Sequence, residues 1–152
     1  MAMMTKRERV MRTIRFEETD RIPLYDLLQN DGVIEHYAGR RAEPGDNCYA
    51  QSYAIGRTLD MVRGIGGPTE PHTARQDNGV VIRYERWTSW VVERPYHDTP
   101  GLVEWVKGEI KRLNAKRYDR AYREGVHKFV RDQLAVFASA DPTGRGDPTV
   151  LI

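Results

Sequence analysis

TKRERVMRTIRFEETDRIPLYD, residues 5–26, carries the signals on which the reading of this chain turns. Thr5 and Glu8 stand three apart, the spacing at which a hydroxyl and a carboxylate cap the start of a helix. Val10, Met11 and Ile14 then recur at helical spacing and supply an apolar face. The polar Phe16–Asp20 segment ends that helix. Pro23 lies near the start of Ile22–Leu28, a nearly continuous apolar run of the kind found in a strand buried on both faces. Helix, charged loop and buried strand in this order announce an α/β domain built on a parallel sheet.

Further along, Asn30 or Asp31 caps a short helix through His36 that stops at Gly39. Pro44 fits the first turn of another helix reaching Leu59, with Cys48, Ile55 and Leu59 on its apolar side. From Pro71 the period changes. Asp77-Asn78-Gly79 is a hairpin turn leading into Val80–Arg94, where Val80, Ile82, Tyr84, Trp90 and Val92 share one face. Thr99 and Pro100 open a helix with Leu102, Val103, Val106, Ile110 and Leu113 at helical spacing, and Tyr118–Phe137 reads as a second helix. After a loop, Thr149–Ile152 is a short apolar run of the type that follows a helix in a parallel sheet.

The chain has 152 residues, 39% of them apolar and 30% charged, which suits one soluble domain with a real core. No apolar run reaches the ~20 residues of a membrane span, and no apolar segment follows the basic start, so a membrane location and a secretory signal are not expected. The lone Cys48 forms no internal disulfide, and a cytoplasmic location is expected. A net charge of +2, spread over mixed signs, lacks the basic stripe of a nucleic-acid face. The four histidines share no ligand spacing, so no metal motif is present. GIGGP at residues 64–68 lacks the lysine and the spacing of a phosphate loop and reads as a connection.

Lys6–Ile14 and Glu17–Pro23 resemble the opening of the uroporphyrinogen decarboxylase superfamily, in which a helix of the type KERV-x-x-x-(I/L) leads through E-x-x-D-R-(I/V)-P into the first strand of a (β/α)8 barrel. The likeness continues more loosely to Ile152. It implies the amino-terminal part of a TIM barrel with an inserted antiparallel β-hairpin, the whole chain forming one portion of a single barrel domain. A complete barrel takes about 250 residues and eight strands, so the resemblance also implies that the parent protein is longer than this chain.

Barrel chemistry gathers at the carboxyl ends of the strands, which makes Asp26, Gln29 and Asn30 candidate substrate-binding residues. Each has a plainer reading: Asp26 as an acceptor for its own loop, Asn30 as a helix cap. Asp60 is a fourth candidate. By resemblance it matches the acidic residue that meets pyrrole nitrogens in porphyrin decarboxylases, and otherwise it is a solvated aspartate at a helix end. Those decarboxylases carry R-x-P-V-W-x-M-R-Q-A-G-R after the first strand. Here Leu28 and Gly32 stand where its substrate-binding arginines would be. Neither can pair with a carboxylate.

The resemblance therefore points to the corrinoid-linked methyltransferases of the superfamily, which move a methyl group between a small substrate and a corrinoid protein. In such relatives zinc is held by histidine and cysteine residues of the carboxyl-terminal half. This chain alone is expected to hold no catalytic zinc and to show no turnover; zinc and a corrinoid on a partner protein belong to the full-length relative. Two alternatives stay open: a cofactor-free porphyrin decarboxylase, and a non-catalytic fragment or half of a split barrel that pairs with a complementary chain or with itself through the open edge at Thr149–Ile152.

Overall fold

The computed structural model describes residues 3–152. Five helices, α1 (Lys6–Ile14), α2 (Asp31–Ala38), α3 (Tyr49–Thr58), α4 (Thr99–Ala115) and α5 (Arg120–Ser139), are combined with five short strands. The strands are β1 (Met61–Val62), β2 (His72–Arg75), β3 (Val81–Tyr84), β4 (Ser89–Glu93) and β5 (Val150–Leu151). The fold is thus mixed α/β. It divides into two units, one formed by residues up to Pro68 with His127–Ile152, the other by Thr69–Val126.

In the first unit β1 pairs in parallel with β5, Met61 facing Val150 and Val62 facing Leu151. Tyr25 forms a single parallel bridge to Met61 on the other side. Three segments therefore run parallel in chain order, with α2 and α3 between the first two. The run Ile22–Leu28 is less of a strand than its composition suggests. Ile22, Leu24 and Tyr25 are exposed and only Leu28 is buried, because this segment has one neighbour and no layer over its outer face. β1 itself carried no sequence signal beyond two apolar residues.

The caps follow local chemistry. The Thr5 hydroxyl accepts from the Glu8 amide at 3.0 Å, and Asn30 Oδ1 from the Val33 amide at 3.0 Å. Gly39 closes α2 in the left-handed region at φ 67°. The helix expected from Pro44 starts only at Tyr49, because Asn47 and Cys48 both adopt left-handed φ, 55° and 59°, and break the turn before it. On α1 the sequence placed Val10, Met11 and Ile14 inward, yet Met11 and Ile14 are exposed. The buried face is Lys6, Arg9 and Val10, at i, i+3 and i+4.

The core of this unit is Ile34, Ala50, Ala54, Ile55, Val62 and Phe137. α3 meets α5 where Ser52 Oγ donates to Gln133 Oε1 at 2.5 Å and, one turn on, Gly56 lies under Phe137. A Cβ on Gly56 would sit 2.7 Å from the Phe137 Cα and carbonyl oxygen. Glycine to alanine inside a helix ordinarily gains about 1 kcal/mol. At Gly56 the sign is expected to reverse, with a loss of about 1–3 kcal/mol from overpacking against backbone. Urea denaturation of Gly56→Ala checks this, and a stabilised variant would refute the close approach.

The second unit is a meander of order β2-β3-β4 followed by α4. Gly79, at φ 84°, forms the first turn as Asp77-Asn78-Gly79 requires. Val80–Arg94, expected as one strand, is two: the chain turns through Arg86–Thr88, so Trp87 lies in the turn and Trp90 in β4. The α4 residues Leu102, Val103, Val106, Ile110 and Leu113 are exposed. The helix is anchored instead through Trp105, whose Nε1 donates to Asn78 O at 2.8 Å.

Candidate functional site

The first unit has two chemically distinct places along its parallel strands. Just ahead of them, where the chain enters each strand, charged groups converge on Asp60. This carboxylate is completely buried. Its Oδ1 accepts from Arg9 NH1 at 2.5 Å and Arg21 NH2 at 2.9 Å, and its Oδ2 from Arg21 NH1 at 2.5 Å and the Leu24 amide at 2.8 Å. Arg9 also grips Asp20 with two bonds, 2.6 and 2.8 Å. Lys6 Nζ donates to Gly56 O at 2.5 Å and to Thr149 Oγ1 at 3.3 Å, while its backbone amide donates to Asp147 at 2.5 Å.

Of the charged residues in the opening stretch, Lys6, Arg9, Asp20 and Arg21 fasten α1 to the starts of β1 and β5, while Arg7, Glu8 and Glu17 are exposed. Burial of Lys6 was legible only as a charge on the same helical face as Val10. Desolvation holds the Lys6 ammonium below its usual range. The hydrogen bonds from Arg9 hold Asp20 well below the ordinary carboxylate range. Burial pushes Asp141 up, but bonds from the Thr143 hydroxyl and the amides of Asp147, Thr143 and Arg145 prevail and set it at about 2.

Both carboxyls are depressed in the folded state, so their stabilisation is complete above about pH 4, the unfolded value, and is lost as pH falls through the folded values. The urea midpoint is expected to fall steadily from about pH 4 to about pH 2. Asp141→Asn should flatten the part of that fall belonging to Asp141, and an unchanged slope would contradict the assignment.

The second place follows the bridge at Tyr25. Asp26, Gln29 and Asn30, three of the four residues singled out from sequence, line one open depression of about 620 Å³. Tyr37 from α2 and Thr58 and Leu59 at the end of α3 complete it. α2 and α3 pack against each other, which brings Tyr37 and Thr58 to the loop after the strand. Asp26 Oδ1 accepts from the Leu27 amide at 2.7 Å. Asn30 is committed to capping α2, so it shapes the wall through its backbone position. Leu28 reaches a left-handed φ of 45° and its carbonyl accepts from Gln51 Nε2 at 3.2 Å, which fixes the loop from beneath. Tyr37, Thr58 and Leu59 carried no sequence signal, because only helix packing brings them here.

Asp60, the fourth candidate, is not part of this depression; all its acceptor capacity is used by Arg9, Arg21 and Leu24. Zinc, implied by the resemblance, does not fit the donors present. Cys48 Sγ accepts from the Gly67 amide at 3.2 Å and burial pushes its thiol up. His36, His72 and His127 lie on α2, β2 and α5 and His97 in the loop before α4, and among the described residues no three His, Cys, Asp or Glu side chains are placed around a common point. Comparison with known proteins found no match for this chain among family models, curated proteins or solved structures.

Proposed function

We propose that this chain is the amino-terminal part of a uroporphyrinogen decarboxylase-like (β/α)8 barrel whose parent protein moves a methyl group between a small substrate and a corrinoid protein. The observation that carries the reading is the parallel alignment of Tyr25, Met61–Val62 and Val150–Leu151 in chain order, with helices between them. A singly wound parallel sheet of this kind is how such a barrel begins. The opening motif supports it, since three of its charged residues, Arg9, Asp20 and Arg21, meet at the strand starts. Asp26 and Gln29 then lie at the end of the first strand where barrel sites are assembled. Porphyrin decarboxylation is the weaker reading. Leu28 is buried and uncharged and Gly32 lies in α2, so neither offers a guanidinium to a substrate carboxylate.

The test uses the protein encoded by the uninterrupted reading frame that contains this chain. Given zinc, methylcobalamin and a small thiol without oxygen, it is expected to form cob(I)alamin and the methyl thioether. Decarboxylation of uroporphyrinogen instead would replace this reading by the porphyrin one, and neither reaction would overturn both. The 152-residue chain by itself is expected to be inactive.

A second reading is favoured by the open sheet: β5 and the Tyr25 segment each pair on one side only among the described residues. A complementary half-barrel or a second copy would cover those edges. Sedimentation of the chain with and without the remaining barrel sequence distinguishes this from a monomer.

A further inference from the structure

We infer that α4 lies in the surface of a membrane rich in anionic lipids, its apolar face against the acyl chains and its basic flank among the headgroups. Leu102, Val103, Val106, Ile110 and Leu113 recur on one face of this helix and are between 36% and 55% exposed. A contiguous apolar stripe of this kind marks a surface that something covers. The helix is held by the neighbouring face. Trp105 donates to the Asn78 carbonyl and its ring meets that of Tyr96 at 5.5 Å, and Glu109, one turn on, accepts from Asn78 Nδ2 at 3.2 Å. That anchorage leaves the stripe uncovered.

The charge around the stripe selects its partner. By helical geometry Lys107 and Lys111 border it on the side opposite Trp105 and Glu109. Lys107 is tied only to Glu104, in a pair exposed on both sides, and Lys111 has no ion pair among the described residues. Residues 107–123 hold seven lysines and arginines against two acidic residues, in a chain whose net charge is only +2. Exposed Tyr118 and Tyr122 follow the helix, their rings 4.7 Å apart, with Lys116 Nζ 5.0 Å from the first of them. An apolar stripe, lysines whose stems can lie along it, and amphipathic tyrosines together make a helix that rests in the lipid interface. No helix among the described residues is long and apolar enough to cross a membrane, so the contact is with one leaflet.

Two other occupants fit less well. A second copy would use the heptad spacing of Val103, Val106, Ile110 and Leu113. Antiparallel pairing then sets Lys107 and Glu109 each against its own counterpart, and parallel pairing sets Glu109 beside Asn114 with no ion pair. A nucleic acid would use the cations and leave all five apolar residues in water.

The experiment is co-sedimentation of the chain with vesicles of phosphatidylcholine alone and of phosphatidylcholine with about 30% phosphatidylserine. Binding to the anionic vesicles is expected to be roughly tenfold tighter or more, and to weaken as salt is raised from about 0.1 M to about 1 M. Ile110→Glu, at a side chain already exposed, should abolish it. Lys107→Ala with Lys111→Ala should weaken it roughly 25-fold, at about fivefold for each basic residue. Phe16→Ser, which removes a 98% exposed apolar side chain from the other unit, should leave binding unchanged, and circular dichroism shows that each variant keeps its helices. Equal binding to the two kinds of vesicle, or an Ile110→Glu variant that binds like the parent, would overturn the inference. So would a dimer that forms without vesicles and is dissociated by Ile110→Glu, since a second copy then covers the stripe. Binding by the chain but not by the product of its uninterrupted reading frame would mean that the remainder of that product covers α4, and overturns it as well.

Discussion

Asp60→Ala is expected to lower the free energy of unfolding by about 3–5 kcal/mol, the cost of leaving a buried charge without its partner. Arg9 has a side chain only 4% exposed, and Asp60 is wholly buried beside it. Removing the carboxylate leaves the Arg9 guanidinium with Asp20 as its remaining carboxylate and strips the Leu24 amide of its acceptor. Arg21 suffers less, because its side chain is 48% exposed and water can replace the lost bonds. A domain of this size has about 5–15 kcal/mol of stability in all, so the variant is expected to be partly unfolded at moderate temperature. Urea denaturation, with the slope compared to the parent chain, measures the loss. A change below about 1 kcal/mol would show that the cluster is solvated and not a buried ion network. Combining Asp60→Leu with Arg9→Met separates the two contributions, since replacing both partners by apolar groups commonly costs far less than removing one.

Phe137→Ala is the second large effect, also about 3–5 kcal/mol. Phe137 is fully buried, and the backbone of α5 lies directly over Gly56 at that point. The rigid contact between the two helix backbones prevents the site from collapsing, which places the cost toward the upper part of the range. The same denaturation experiment checks it, and binding of a small apolar molecule to the variant would show the cavity directly. A loss of under about 1.5 kcal/mol would mean that neighbouring side chains refill the space.

The elements legible in the sequence are those whose determinants are local. Thr5, Asn30, Gly39 and the Asp77-Asn78-Gly79 turn each act within a few residues and stand where their chemistry placed them, whereas the Glu8 carboxylate, expected to complete the cap of α1, pairs with Arg12 at 3.0 Å. The turn at Arg86–Thr88 has none of the usual turn residues, so β3 and β4 read as one strand. Burial of Lys6 and Arg9 was not foreseen, because their partners, the Gly56 carbonyl and the Asp60 carboxylate, lie some 50 residues away and no periodicity reports a partner that is distant. The candidate site divides the same way. Asp26, Gln29 and Asn30 are neighbours in sequence and remain neighbours in space, whereas Tyr37 and Leu59 arrive through the packing of α2 on α3.

The bonds that join Lys6 to Asp147 and Thr149 connect positions 141 and 143 residues apart. During synthesis α1 therefore leaves the ribosome long before these partners exist: Arg9 can meet Asp20 and Asp60 early, but Lys6 lacks Asp147 and Thr149 until the segment leading into β5 emerges. Residues 69–126, continuous in the chain, have all their partners close in sequence and can organise first. Order of appearance and order of completion are thus opposed along this chain: α1 emerges well before the residues that complete its anchoring.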